Sequence, residues 1–203
     1  MNTAPHSYLT HLECTECGRT FDAGQLQTFC PDCRSPLMAR YDLPRLRAEA
    51  VREQFAARPR GMWRWAELLP VRDARYRLTL GEGDCPLLPL PRLGAELGMP
   101  RLFVKDEALN PTGSFKARGL CAAVARALEL GVREFVIPTA GNAGGALAAY
   151  ASRGGMQSLV AMPDDTPVAN VVESQIAGAE GLLVHGLIRD AAKLIQARAG
   201  EGW

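Results

Sequence analysis

Glu134-Phe135-Val136-Ile137-Pro138-Thr139-Ala140-Gly141-Asn142-Ala143-Gly144-Gly145 is the stretch that decides the fold. It begins as a short apolar run, breaks at Pro138 and passes through small residues into an alanine-rich run that ends before Gly154-Gly155. The pattern predicts a strand over 134–138 and a helix over 143–152 closed by glycine. Working outward, the alternation recurs on both sides. Upstream, 102–104 reads as a strand and 115–130 as a helix closed by Gly131. Downstream, 158–162 reads as a strand, 168–176 as a helix, 181–184 as a strand and 189–198 as a helix. This spacing suits right-handed strand–helix–strand crossovers, and strands apolar throughout suit a parallel sheet covered on both faces. The expected fold class is α/β: a parallel sheet with flanking helices over residues 81–203. No internal repeat or low-complexity tract interrupts it.

Composition bounds the rest. The chain has 203 residues, 47% hydrophobic and 22% charged, enough for one sizeable core with a small appendage and too apolar for disorder. Twenty-three basic side chains against 22 acidic ones give a net charge of +1, so neither nucleic acid nor an anionic membrane is an expected partner. No window approaches the roughly 18 consecutive apolar residues of a membrane span, and residues 1–11 lack the blocks of a secretory signal. The chain reads as soluble and cytoplasmic. Only Lys105, Lys116 and Lys193 are lysines, so chemistry that needs a primary amine has three candidates.

Four of the six cysteines form Cys14-x-x-Cys17 and Cys30-x-x-Cys33, the paired-knuckle spacing of a tetrahedral zinc site. Redox dithiols and disulfides are the alternatives, and a reducing cytosol and the doubled motif argue against both. Residues 1–37 are therefore expected to form a zinc-ribbon-like segment stabilised by its metal. Glu13, Glu16, Asp22 and Asp32 outnumber Arg19 and Arg34 there, a surface that repels phosphates and suits structural docking. A closed four-cysteine shell leaves no open position for metal catalysis. Cys85 stands apart, and Cys121, in an alanine-rich helical run, is an expected core residue. Residues 38–80 read as a helical connecting arm, with ten arginines against Asp42, Glu49, Glu53, Glu67 and Asp73 between 38 and 77. Its charges suit a solvated face or a basic docking surface, and Trp63 and Trp65 are expected to pack the arm onto the body.

In an open α/β sheet, reactive groups gather where strands end and helices begin, because backbone N–H groups there lack intrahelical partners. Two such junctions stand out. In Asn110-Pro111-Thr112-Gly113-Ser114-Phe115-Lys116, proline and glycine shape a turn, Ser114 can cap the helix and Lys116 falls in its first turn. The helix macrodipole disfavours a cation at that end, and an uncharged amine is what Schiff-base chemistry needs. An exposed lysine that snorkels into water is the plain alternative. In the second junction, 138–145, small residues let a ligand approach the backbone, while Thr139 and Asn142 offer polar side chains. It matches neither the dinucleotide fingerprint nor a Walker loop, and taken singly reads equally as a turn.

Together these segments resemble the fold-type II pyridoxal-phosphate enzymes, and within them the threonine synthases that carry an N-terminal zinc-ribbon-like segment. The segment 110–116 is similar to that family's lysine motif, and Thr139-Ala140-Gly141-Asn142-Ala143 to its asparagine loop. Gly81-Glu82-Gly83-Asp84-Cys85-Pro86-Leu87 looks like its Gly-Glu-Gly-x-Thr-Pro-Leu segment, with Cys85 in place of threonine. The resemblance implies that Lys116 holds pyridoxal 5'-phosphate as an internal aldimine and later moves protons as acid and base. It implies that Asn142 contacts the cofactor's ring oxygen, while Thr139 and the amides of Gly141, Asn142 and Ala143 hold the substrate carboxylate. The implied zinc is structural, on Cys14, Cys17, Cys30 and Cys33. The implied reaction converts O-phosphohomoserine and water into threonine and phosphate. Family members continue past a segment like Gly200-Glu201-Gly202-Trp203 into a second stretch that supplies the cofactor-phosphate loop. The chain is thus expected to hold half a site, completed by a C-terminal half or within a homo-oligomer. Another lyase of the class, such as a cysteate synthase or threonine dehydratase, and a non-catalytic zinc-ribbon interaction module are the alternatives.

Overall fold

The computed structural model describes residues 6–199. Residues 1–5 of the start read above, and the closing Gly200-Glu201-Gly202-Trp203, lie outside the described residues. The chain opens with strands β1 (Leu9–Cys14), β2 (Thr20–Asp22) and β3 (Leu37–Tyr41), an antiparallel sheet ordered β2-β1-β3. Each cysteine pair turns on a residue with positive φ, Gly18 at +71° and Arg34 at +60°. The ribbon sheet runs to Tyr41, beyond the junction expected at 37/38. The alternation of half-buried Leu37, Ala39 and Tyr41 with exposed Met38 and Arg40 is a strand period concealed in an arginine-rich composition.

The arm contains α1 (Leu43–Glu49), α2 (Arg52–Ala57) and short 3-10 segments at Met62–Leu68 and Ala74–Tyr76. The Asp42 carboxylate accepts from Arg45 N and caps α1, which takes Pro44 in its first turn. Neither α1 nor α2 buries a residue. Trp63 packs on the core and donates Nε1–H to the Leu78 carbonyl at 2.6 Å. Trp65 does not join it: the ring is 49% exposed and stacks on Phe55 within the arm. Much of the arm's charge is spent in local pairs. Arg58 forks onto the buried Glu67 carboxylate at 2.6 and 2.8 Å, and Arg40, Arg45 and Arg75 reach Glu13, Glu49 and Asp73.

The body follows with β4 (Leu87–Pro89), α3 (Pro91–Glu96), β5 (Phe103–Lys105), α4 (Lys116–Glu129), β6 (Glu134–Pro138), α5 (Ala143–Arg153), β7 (Gln157–Pro163), α6 (Val168–Ile176), β8 (Glu180–Val184) and α7 (Ile188–Ala199). Strands β6, β7 and β8 pair in parallel in that order. The strand expected at 102–104 lies elsewhere: β5 pairs antiparallel with β4, and both are exposed along their length. A three-residue apolar run carries no signal of which sheet it joins. Central β7 is buried on both faces. Val160 and Met162 pack against Ala148 and the α6 side, while Leu159 and Ala161 pack against Ala191 and Ile195 of α7. Each such large side chain removed from water contributes roughly 1.5–3 kcal/mol. A further cluster, Cys121, Val124, Leu147 and Tyr150, joins α4 to α5. A Cβ at Gly144 would stand 2.9 Å from Met162 Cε, Ser174 Oγ and Val160 Cγ1, so the start of α5 can lie flush on the sheet only without a side chain there. Among the described residues, no helix is long and apolar enough to cross a membrane.

The ribbon touches both arm and body. Tyr8 N donates to Glu67 O at 2.9 Å, Ser7 Oγ to Leu69 O, and Arg126 reaches the Ala23 carbonyl. An apolar cavity of about 350 Å³ remains between Leu9, Leu12 and Leu37 of the ribbon and Ala123 and Ala127 of α4.

Candidate functional site

The lysine loop is shaped by two successive left-handed residues. Thr112 has φ +62° and Gly113 φ +63°; glycine adopts this freely, whereas a β-branched threonine adopts it at a cost of about 1–2 kcal/mol. The reversal delivers the chain to α4. The buried Ser114 Oγ accepts from Lys116 N at 3.3 Å, the local capping expected of it. Lys116 is exposed, with Nζ 4.7 Å from the centre of the exposed Phe115 ring. Among the described residues it forms no ion pair. The other two lysines are engaged: Lys105 donates to the Cys85 carbonyl and Lys193 to Asp190. The Thr112 hydroxyl is buried and has no hydrogen-bond partner.

The second loop starts where β6 ends. Thr139 is buried, donates its N–H to Ala161 O at 2.9 Å, and accepts from Gly141 N on Oγ1 at 3.2 Å. This small turn leaves Asn142 exposed at the head of α5, where helix polarity favours anions. The 111–113 turn touches α5, and α4 and α5 lie side by side. The helix that Lys116 begins and the turn before it thus both lie against α5, the helix that follows the loop of Thr139, Gly141, Asn142 and Ala143.

Beside the lysine loop, the segment 81–87 is anchored by Glu82, which is fully buried. Its carboxylate accepts from Tyr150 Oη at 2.6 Å, Leu80 N and Thr79 Oγ1 at 3.0 Å, and Cys121 Sγ at 3.3 Å. Burial by itself raises the Glu82 pKa, but the hydrogen bonds, led by Tyr150 and the Leu80 amide, outweigh it and hold the value below the usual carboxylate range. The neighbours respond oppositely: burial and the adjacent carboxylate push both the Tyr150 hydroxyl and the Cys121 thiol up. Cys121 is the core residue expected, and Cys85 is buried as well.

In the ribbon, the sulfurs of Cys14, Cys17, Cys30 and Cys33 all lie within 4.8 Å of one another. Cys14 to Cys33 is 3.4 Å and Cys17 to Cys30 is 3.7 Å. A disulfide needs about 2.05 Å, whereas four thiolates on a tetrahedron of Zn–S about 2.3 Å stand roughly 3.8 Å apart. Cys14 and Cys30 are buried, and all four cysteines are free thiols. The Ser35 backbone N–H, its hydroxyl and then Cys14 pull the Cys33 thiol down to about 6. Glu16 N points at Cys14 Sγ, a donor suited to a metal-bound thiolate.

Several contributors carried no readable signal in the sequence: the orphaned Thr112 hydroxyl, the partners of Asn110 and those of Glu82, which was visible only as part of the 81–87 segment. Thr112 offered only its place between proline and glycine.

The family model described as "Pyridoxal-phosphate dependent enzyme" matches residues 78–203. Threonine synthase of Methanocaldococcus jannaschii is 35% identical over 189 residues, 93% of this chain and 46% of that protein. Threonine synthase of Methanosarcina acetivorans is 34% identical, covering 92% and 45%. The chain thus spans about half the length of these curated relatives. Among solved structures, diaminopropionate ammonia lyase from Escherichia coli superposes with a TM-score of 0.56 at 24% identity over 62% of this chain and 36% of that one. A pyridoxal 5'-phosphate-dependent aspartate racemase gives a TM-score of 0.55 at 28% identity over 58% and 37%.

Proposed function

This chain belongs to the pyridoxal-phosphate dependent enzyme family, and from that membership we propose that it carries the lysine-bearing half of a threonine synthase site. The reaction is the conversion of O-phosphohomoserine and water into threonine and phosphate. The observation that carries the reading is the contact of the 111–113 turn with α5, the helix that follows the Thr139–Ala143 loop, together with the exposure of Lys116 and Asn142. The match to threonine synthases over 93% of the chain, ribbon included, supports the choice of substrate.

The residues present fit pyridoxal 5'-phosphate. Among the described residues, Lys116 offers an amine free of ion pairs, Thr112 an unsatisfied buried hydroxyl in the same loop, and Asn142 an exposed side chain at the head of α5. The cofactor, when bound, supplies a pyridine ring that stores electrons released at the substrate carbons. Lys116 would hold the cofactor at its aldehyde carbon and, in the unprotonated form, would accept and return protons at substrate carbons near its amine. Asn142 orients the ring oxygen. Thr139 and the amides of Gly141, Asn142 and Ala143 hold the substrate carboxylate at the positive end of α5. Cys14, Cys17, Cys30 and Cys33 hold one structural zinc, and the protein works in the cytoplasm.

The cofactor-phosphate loop and the substrate-phosphate groups come from a further stretch, in the same polypeptide or a complementing half. Exposed Val168, Val172 and Ile176, four residues apart along α6, support such a covering partner.

The test is covalent capture. The chain is incubated with pyridoxal phosphate, reduced with borohydride and peptide-mapped. A stable label at Lys116, absent from Lys105 and Lys193, is the expected result. With a complementing half supplied, O-phosphohomoserine should yield threonine, and Lys116→Ala should abolish it. Label spread evenly over three lysines in that completed protein, or threonine formed by the Ala variant, would overturn the assignment. Deamination of threonine in place of its synthesis would move the chain to another lyase of the family.

A further inference from the structure

The first turn of α4 is closed by local bonds: Lys116 N to Ser114 Oγ and Ala117 N to the Ser114 carbonyl at 3.3 Å, and Arg118 N to the Phe115 carbonyl at 3.1 Å. Such bonds close the turn but do not set its rotation against the loop before it. That rotation is set by a run of side-chain contacts closing around the loop. Arg118, two residues beyond Lys116, forks onto Glu107 with Nε to Oε2 at 2.6 Å and Nη2 to Oε1 at 2.7 Å. Asn110 Nδ2 donates to the same Oε2 at 2.7 Å and to the Glu107 carbonyl at 2.9 Å. Asn110 is buried, and its Oδ1 accepts from Gly83 N at 3.1 Å. Gly83 in turn lies against the backbone of Met62.

This is not an ordinary surface pair. The two side chains are 31% and 28% exposed, the geometry is bidentate, and the carboxylate accepts a third hydrogen bond from Asn110, which is itself buried. Exposed pairs contribute little, whereas forked, charge-assisted contacts add geometric definition. Arg118 stands about 200° around the helix from Lys116, so it fixes the rotation of the turn without touching the amine. The Glu107 carboxyl is held below its usual range, first by the Arg118 hydrogen bond, so the pair is charged at neutral pH.

We propose that the Glu107–Arg118 fork, seated on Asn110 and through it on Gly83, is the positioning device of the Lys116 amine. The proposal rests on the reading of Lys116 as the cofactor lysine and adds to it the residues that set where that amine stands.

The test uses the cofactor-free chain. Trace acetylation with acetic anhydride, followed by mass spectrometry, gives the labelling ratio of Lys116 to Lys193, a distant internal reference. Arg118→Ala and Glu107→Gln should each change that ratio by about threefold or more, with Arg118→Lys intermediate. Millimolar guanidinium should return Arg118→Ala toward the parent value, and melting should stay cooperative. An unchanged ratio in Arg118→Ala, or a change with no guanidinium rescue that tracks loss of the melt, would overturn the proposal. If Arg118→Ala does not fold, Arg118→Lys decides by the same ratio. Capture of pyridoxal phosphate at Lys116 is scored separately: normal capture with an unchanged ratio removes this proposal and leaves the cofactor reading standing, and the reverse pattern removes only the latter.

Discussion

A side chain at position 83 has nowhere to go. Gly83 sits at φ +102°, and a Cβ there would lie 2.5 Å from Met62 N and 2.9 Å from Met62 Cα, which are backbone atoms that cannot swing aside. Gly83→Ala is therefore expected to cost roughly 2 kcal/mol or more, read as a lowered melting temperature, because both the left-handed strain and the clash must be relieved by moving the segment. Full stability in this variant would mean that the 81–87 segment is looser than its contacts imply. The same residue illustrates what is legible one position at a time. Lys116 and Asn142 could be picked out because a lysine in a first turn and an asparagine after a strand stand against a simple background. Thr112 could not be read as left-handed, since a β-branched residue prefers extended backbone and only the folded turn reverses that preference. The Glu107–Arg118 fork was hidden for another reason: eleven residues, a turn and a helix start separate its members, and no fixed period joins them.

Between elements, Glu82 ties the 81–87 segment to both α4 and α5, through Cys121 and Tyr150. Its folded-state pKa lies below the ordinary value, so its stabilising contribution is complete above the unfolded carboxylate pKa of about 4.3 and is lost as pH falls through the folded value. Glu82→Gln leaves an amide N–H₂ facing donors and should destabilise the chain at pH 7 by roughly 1–3 kcal/mol. The parent loses its carboxylate contribution in acid while the Gln variant has none to lose. Urea titrations at stepped pH should therefore show the gap narrowing below about pH 4. A gap constant from neutrality into acid would refute the charged network. The helices and parallel strands of the body were readable because each carries its own period and glycine stop. Strand β3 was missed because composition masks it, and β5 was assigned to the wrong sheet because of its brevity. Pairing partners are set by how the chain returns, which only the assembled structure displays.

At the scale of the molecule, a ribbon too small to own a core is joined to an α/β body that has one. The ribbon's apolar side faces α4 across a cavity of about 350 Å³, and its backbone is held by Glu67 and Leu69 of the arm. Four sulfurs within 4.8 Å of one another stand in for the interior that three short strands cannot build. The body, by contrast, buries Leu147, Leu159, Val160 and Met162 around β7 without help from the metal site. With zinc held by the four thiols as proposed, folding energy in the two parts has different origins, and removing the metal should separate them. Metal analysis of the purified chain should find one zinc per chain, and a strong chelator should remove it. Hydrogen exchange should then show protection lost over 9–41 and retained over 134–184. Cys30→Ser should reproduce the chelated pattern, because a buried ligand is replaced by a hydroxyl that zinc binds poorly. Two outcomes would refute this division: zinc well below one per chain, or loss of protection in β7 together with the ribbon. The second would mean that the body depends on the metal after all, through the contact between the ribbon and α4.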